Sequence, residues 1–455
     1  MSYQTINPFT EELVKSYSEH TDAQLEAIIA RSEKTYENDW SRTSLAERKK
    51  IVKKAATILR EKLDEFARPI TVEMGKLFPE AQGEVKLSAD ILDYYADNAE
   101  NFLATKKLKV QEGEAFIENA PLGVLFCVEP WNFPYYQLAR VAGPNLMAGN
   151  VLIVKHAPNV PQCALAFEKL FLDAGAPAGV YSNVFLSNEQ AAKTVADPRI
   201  KGVALTGSER AGAAVASEAG QALKKSTMEL GGSDAFIVLD DADLDTAVKW
   251  GVWGRMNNTG QCCVAAKRFV LHEAIADVFL GRFKKELEQL VPGDPMDPQT
   301  TLGPLCTEGA LDLVLKQIKA AVEGGAKVLL GGKRADRPGY FLEPTILTNI
   351  TPENPAFHQE FFAPVALVFR VKNEKEAINL ANDSPYGLGG SVITKDVERG
   401  KRVARQIETG MVFINQSTWT APDLPFGGVK NSGYGRELSD LGIGEFVNKK
   451  LIRVA

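Results

Sequence analysis

Histidine and cysteine are scarce in this chain, with four and five among 455 residues. His20, His156, His272 and His358 fall in no ligand spacing, so no metal site is expected. The cysteines at 127, 163, 262, 263 and 306 are scattered and odd in number. That pattern excludes a disulfide scaffold and suits a reducing cytoplasm. Positive charge is also lacking. The formal net charge is −6 and no basic block offsets it, which argues against a nucleic-acid or anionic-membrane surface. No apolar run approaches the ~20 residues that span a bilayer, and the first residues carry neither a basic region nor an apolar core of a signal peptide. Internal repeats and low-complexity segments are absent.

What remains is a globular composition, 45% hydrophobic and 24% charged, in a chain long enough for two or three domains. The N-terminal part reads as helices. Ser44-Leu-Ala-Glu47 is a capping-box pattern, followed at helical spacing by Leu45, Val52, Ala55, Leu59, Leu63 and Phe66. From about residue 121 short apolar runs alternate with amphipathic segments. Val124–Val128, Val151–Val154, Val203–Leu205 and Ala235–Leu239 predict parallel strands of a doubly wound α/β sheet. A second α/β unit is predicted from Arg268–Leu271, a helix with Ile275, Val278, Phe279, Phe283, Leu287 and Leu290 on one face, and strands at Val328–Leu330 and Met411–Asn415.

Near the junction of the two units lies Asn258-Thr-Gly-Gln-Cys262-Cys263, and 34 residues before Cys263 stands Glu229, in Met228-Glu-Leu-Gly-Gly232. A thiol in a Gly/Gln-marked turn can attack a carbonyl, and a carboxylate with apolar flanks has a raised pKa and can act as a base. No histidine lies beside the thiol in sequence, which leaves Glu229 as the candidate base. Trp131-Asn132-Phe133-Pro134 follows a predicted strand. Lys155 ends another, and Gly207-Ser208 ends a third where a helix N-terminus could hold phosphate. Polar groups at successive strand ends suit a nucleotide crevice.

Together with Glu360-Phe-Phe362-Ala-Pro and Pro425-Phe426-Gly-Gly, these motifs resemble those of the aldehyde dehydrogenases, in the family's order and approximate spacing from about residue 120 to 440. Within it the chain is most similar to the short bacterial succinate-semialdehyde dehydrogenases, through Trp131–Tyr136, Lys155-His-Ala-Pro158 and Gly207-Ser-Glu-Arg210. The resemblance implies a nucleotide-binding domain over 1–103 and 122–230, a catalytic domain over 231–432, and a β bridging element from 104–121 and 433–455. That element pairs subunits, so a homodimer or dimer-based tetramer is expected.

The resemblance also implies roles. Cys263 is the nucleophile, with Cys262 structural; Glu229 activates the water that hydrolyses the thioester; Asn132 holds the oxyanion. Trp131, Lys155, Pro158, Gly207, Ser208, Glu360 and Phe362 line the cofactor, and Tyr136, Arg140, Asn257 and Phe426 the substrate. Arg140, eight residues after Asn132, is expected to fork onto a substrate carboxylate. Asn257 stands where several of those enzymes have a second arginine. Succinate semialdehyde is thus the expected substrate. The alternatives are glutarate semialdehyde or a neutral aliphatic aldehyde, a CoA-acylating enzyme, or a non-catalytic binding protein. Pro158 replaces a glutamate that grips the ribose 2′-hydroxyl in many NAD-preferring relatives. No arginine stands beside it and His156 could crowd the 2′ position, so NAD is expected to be preferred, with NADP also used.

Overall fold

The computed structural model describes residues 3–455, as two α/β layers with three smaller sheets beside them. The first layer holds six strands in the order Gly433–Tyr434, Lys225–Glu229, Ile200–Thr206, Val124–Glu129, Val151–His156, Tyr181–Asn183. Only the Gly433–Tyr434 edge is antiparallel. The chain leaves Val124–Glu129 toward one edge of the sheet, then returns to its other side at Ile200–Thr206. Above the carboxyl ends of these two strands the connections part in opposite directions and open a crevice.

Helices cover this sheet because its strands are buried on both faces; every residue of Val151–His156 is buried. The helix Pro134–Ala148 is buried along its whole length, between the sheet and the helix Phe78–Phe102. The capping box at Ser44 and Glu47 starts the helix Leu45–Glu61 as predicted. A hairpin, Tyr3–Ile6 with Leu13–Tyr17, precedes the helices, where the sequence suggested helix alone.

The second layer has seven strands in the order Lys327–Leu330, Thr345–Thr348, Val365–Val371, Ala266–His272, Asp234–Val238, Gly390–Ile393, Phe413–Ile414, with only the first pair antiparallel. The predicted helix forms over Glu273–Glu288, but Val278 faces solvent at 53% exposure. Phe279, Phe283 and Leu287 follow the 3.6-residue stripe into the core, and Val278 lies about 100° off it.

A separate sheet has three strands. Val447–Val454 pairs with Glu114–Pro121, which pairs with Lys106–Leu108. Residues 433–446 do not join it: Gly433 and Tyr434 pair with Glu229 and Met228 at the edge of the first sheet. Among the described residues no helix is long and apolar enough to cross a membrane.

Candidate active site

Cys263 lies on a turn that the backbone would not adopt unaided. Asn258 and Thr259 both have left-handed φ near +52° and +53°, and Gly260 follows at +73°. A β-branched threonine there is strained by about 1–3 kcal/mol. Each motif residue has a task in holding the turn. The Asn258 amide donates to the carbonyls of Gln261 (3.1 Å) and Asn132 (2.8 Å). The Thr259 hydroxyl donates to the Gly303 carbonyl at 3.2 Å, and the Gln261 side chain accepts the Cys306 amide at 2.9 Å. At Gly260 a Cβ would meet the Ala363 carbonyl at 2.5 Å.

The turn delivers the half-buried Cys263 thiol to a cavity of about 250 Å³ in the crevice. Asn132, Trp131, Gly207, Ser208, Glu360 and Phe362 share its wall, so six of the expected residues meet the thiol there. The Asn132 amide donates to the Gln261 carbonyl at 3.1 Å, beside the thiol. Trp131 and Phe362 pack edge to face with centroids 5.8 Å apart. A larger groove of about 910 Å³ runs along the outside of the second layer, but no cysteine lines it.

Gly231 and Gly232 bring the backbone close to Glu360 and to the Cys263 turn. A Cβ on Gly232 would sit 2.7 Å from the Cys263 carbonyl, and one on Gly231 would sit 2.6 Å from Glu360 Oε2. The Gly232 amide donates to Glu360 Oε1 at 3.1 Å. The same oxygen meets the ammonium of Lys267 at 3.1 Å, and that ammonium also donates to the carbonyls of Cys262 (2.8 Å) and Cys263 (2.7 Å). Lys267, fully buried, was not singled out from the sequence. It opens the strand Ala266–His272 beside a second cation, Arg268, and no motif marks it in the sequence.

The adjacent Cys262, with burial, raises the Cys263 thiol well above its usual range while Cys262 is lowered. A pair sharing one proton behaves so. Cys263 therefore has to lose its proton to a base before it can attack, and the nearby Lys267 favours the thiolate.

Glu229 ends its strand in cross-strand register with Thr206 and Gly433. Burial, then repulsion from Glu437, raises its carboxyl well above the ordinary carboxylate range, with Arg140 opposing. It does not line the Cys263 cavity. Oε1 faces Gly427, where a Cβ would lie 2.6 Å away, and both carboxyl oxygens lack hydrogen-bond partners.

Arg140 is not the free fork that the sequence suggested. It is buried, and its Nε pairs with Glu437. Nη1 donates to the Tyr136 hydroxyl at 3.2 Å and Nη2 to the Thr206 hydroxyl at 2.9 Å. Burial works against its charge, but Glu437 and other nearby carboxylates more than offset that. The guanidinium also stacks on Phe426 at 4.8 Å and Tyr136 at 5.0 Å. A cation already matched to a buried carboxylate has little left for a second one. A substrate carboxylate at Arg140 would have to compete with these partners. Asn257 lies apart from this group, in a separate cavity of about 210 Å³ with Phe133, Trp253 and Trp419.

On the nucleotide side, Ser208 caps the helix Glu209–Gln221 by accepting the Ala211 amide at 3.3 Å. Lys155 is buried, with its ammonium 5.7 Å from the Tyr3 ring centre. The Pro158 carbonyl accepts the Gln4 amide at 2.9 Å. His156 turns inward, with Nε2 3.0 Å from the Pro134 carbonyl, and burial lowers its pKa to about 4. It is neutral and enclosed, and cannot crowd a ribose.

The profile of the Aldehyde dehydrogenase family matches residues 1–452. The succinate-semialdehyde dehydrogenase [NADP(+)] of Deinococcus radiodurans is 50% identical over 451 residues, covering 99% of this chain and 94% of that protein. Among solved structures, Gox0499, studied for its cofactor and substrate selection, superposes with a TM-score of 0.99 at 60% identity, each chain covered in full. The succinic semialdehyde dehydrogenase of Streptococcus pyogenes in complex with NADP+ gives 0.98 at 48% identity, with 99% of each chain covered.

Proposed function

The chain belongs to the aldehyde dehydrogenase family, and from that premise we propose that it oxidises succinate semialdehyde to succinate with NADP as cofactor. The observation that carries this reading is full-length similarity, at 45–50% identity, to relatives named as NADP(+)-type succinate-semialdehyde dehydrogenases. Those names do not support the expected preference for NAD. Its physical basis is also weak, because Pro158 supplies no carboxylate to repel a 2′-phosphate and His156 is enclosed. Aldehydes of other length or without an acid group remain the competing substrates.

The crevice suits the nicotinamide end of such a cofactor. Trp131, Phe362 and Gly207 line a cavity of about 250 Å³, and Glu360 is held by Lys267 and Gly232. Lys155, Pro158 and Ser208 would meet the remainder, with the phosphates near the helix N-terminus. When bound, the cofactor accepts the hydride.

The chain's own residues do the rest. Cys263, once deprotonated, attacks the aldehyde carbon, and the Asn132 amide donates to the developing oxyanion, a contribution worth about 3 kcal/mol. After hydride loss Cys263 carries a thioester. Glu229 takes a proton from water, which attacks the thioester and frees the acid. To serve this step its carboxyl turns from Gly427 toward Cys263. The outer strand Val447–Val454, with Leu451 61% exposed, is proposed as the surface for pairing with a second copy, in a dimer or a dimer-based tetramer. Five free cysteines are consistent with a reducing cytoplasm.

The test is a panel of succinate semialdehyde, glutarate semialdehyde and butanal, each with NADP and NAD, followed by absorbance of the reduced cofactor. Highest kcat/KM for succinate semialdehyde with NADP is expected. A higher value for butanal or with NAD would overturn the corresponding half of the reading.

A further inference from the structure

Two residues outside every recognised motif hold both halves of the acylation machinery. The segment Gly75–Glu84 comprises the short link after the helix Leu63–Met74 and the first turns of the helix Phe78–Phe102. Inside it Lys76 and Glu84 form an ion pair with both side chains 1% exposed. The Lys76 ammonium also donates to the Asn132 carbonyl at 2.9 Å and lies 3.7 Å from the centre of the Phe133 ring. Glu84 Oε1 accepts the amides of Tyr135 (2.8 Å) and Tyr136 (3.2 Å). It thereby satisfies the first turn of the helix Pro134–Ala148, which has no side-chain cap of its own. The same segment reaches the nucleophile turn, since Glu80 Oε1 accepts the Asn258 amide at 3.1 Å. The Asn258 side chain closes the link by donating to the Asn132 carbonyl, the atom that Lys76 holds.

An ion pair removed this completely from water is weak evidence of stabilisation, because desolvation offsets most of the attraction. What it supplies is a fixed position. The Asn132 carbonyl takes two donors, one from Lys76 and one from the strained Asn258. The loop carrying the oxyanion donor and the turn carrying Cys263 are thus fastened to one point. We propose that Lys76 and Glu84 are positioning residues for acylation, holding the Asn132 amide in register with the Cys263 thiol through the Asn132 carbonyl and the helix N-terminus behind it. This rests on the reading of Asn132 and Cys263 given above. Misplacing a catalytic group by an ångström costs about a hundredfold in rate, so the clamp need contribute little to stability to matter for turnover.

The experiment compares Glu84→Gln, Lys76→Met and Asn132→Ala in the full-length enzyme. Four quantities are read: the pre-steady-state rate of reduced-cofactor formation at saturating aldehyde, KM for the aldehyde, Kd for NADP, and the rate of Cys263 alkylation by iodoacetamide. Glu84→Gln and Lys76→Met should each slow the first quantity by about tenfold to a hundredfold. KM, NADP binding and alkylation should stay near wild type, because the thiol and the nucleotide crevice are intact. An unchanged acylation rate in both variants would overturn the proposal, as would losses of NADP binding and alkylation in step with the rate, which mark general unfolding. Asn132→Ala separates the two readings. If it alone loses acylation, only the clamp fails; if it retains acylation, the oxyanion assignment fails. Should one clamp variant not fold, the other decides.

Discussion

Replacing Arg140 with leucine tests what this buried cation is for. Arg140 faces Glu437 directly and lies within electrostatic reach of Glu129 and Glu229, so the cluster holds more carboxylates than cations. Removing the guanidinium leaves Glu437 buried without its partner, which costs about 3–5 kcal/mol. Stacking on Phe426 and Tyr136 and the bond to Thr206 are lost as well. Urea unfolding followed by tryptophan fluorescence should show a loss of this size. Much of it should return in the double variant Arg140→Met, Glu437→Gln, in which no buried charge is stranded. Catalytically, kcat/KM should fall on succinate semialdehyde and on butanal by a similar factor, because the damage reaches Tyr136, Phe426 and the surroundings of Glu229. A loss confined to succinate semialdehyde, with stability near wild type, would refute this. It would mean that the guanidinium is reserved for the substrate carboxylate and that Glu437 is a secondary partner.

Cys263→Ala should abolish oxidation while NADP still binds by fluorescence titration, and Cys262→Ala should keep most activity; the reverse would mean that the sulfurs have been exchanged. Because Glu229 is raised well above the ordinary carboxylate range, kcat should climb with pH through that raised value, and the pH–rate profile of Glu229→Gln should lack this limb. The same shift gives stability that is full below the unfolded carboxylate pKa and lost as pH rises through the folded value. Urea midpoints of Glu229→Gln should therefore fall less over that window. Lys267→Met removes charge-assisted bonds to Glu360 and to the carbonyls of Cys262 and Cys263, and should cost about 1.5–3 kcal/mol in kcat/KM, with a raised KM for NADP in the same titration.

Much of this architecture is legible from local pattern. Strand runs such as Val151–Val154 are apolar because both faces are buried, and the Ser44–Glu47 box depends on four consecutive residues. Cys263, Asn132, Glu360 and Phe362 meet in one cavity because each lies at a strand end or on a turn marked by glycine or proline. What sequence could not reveal was pairing over distance. Glu437 lies 297 residues from Arg140, and nothing local to either announces their ion pair. Arginine eight residues beyond Asn132 therefore looked free. Lys76 and Glu84 escaped notice for the same reason, since a charged pair on helical ground normally faces solvent. Lys267 is hidden by its neighbour Arg268: two adjacent cations opening a strand resemble edge charges until the fold places Lys267 beneath the catalytic turn.

The central claim is a covalent thioester on Cys263 whose hydrolysis depends on Glu229. Its most direct test is peptide mass spectrometry of Glu229→Gln enzyme, quenched in acid after mixing with succinate semialdehyde and NADP. The account predicts a succinyl group on the peptide carrying Cys262 and Cys263, absent when Cys263 is replaced by alanine and retained when Cys262 is. An unmodified peptide alongside a full burst of reduced cofactor, or a succinyl group that persists in Cys263→Ala, would contradict it.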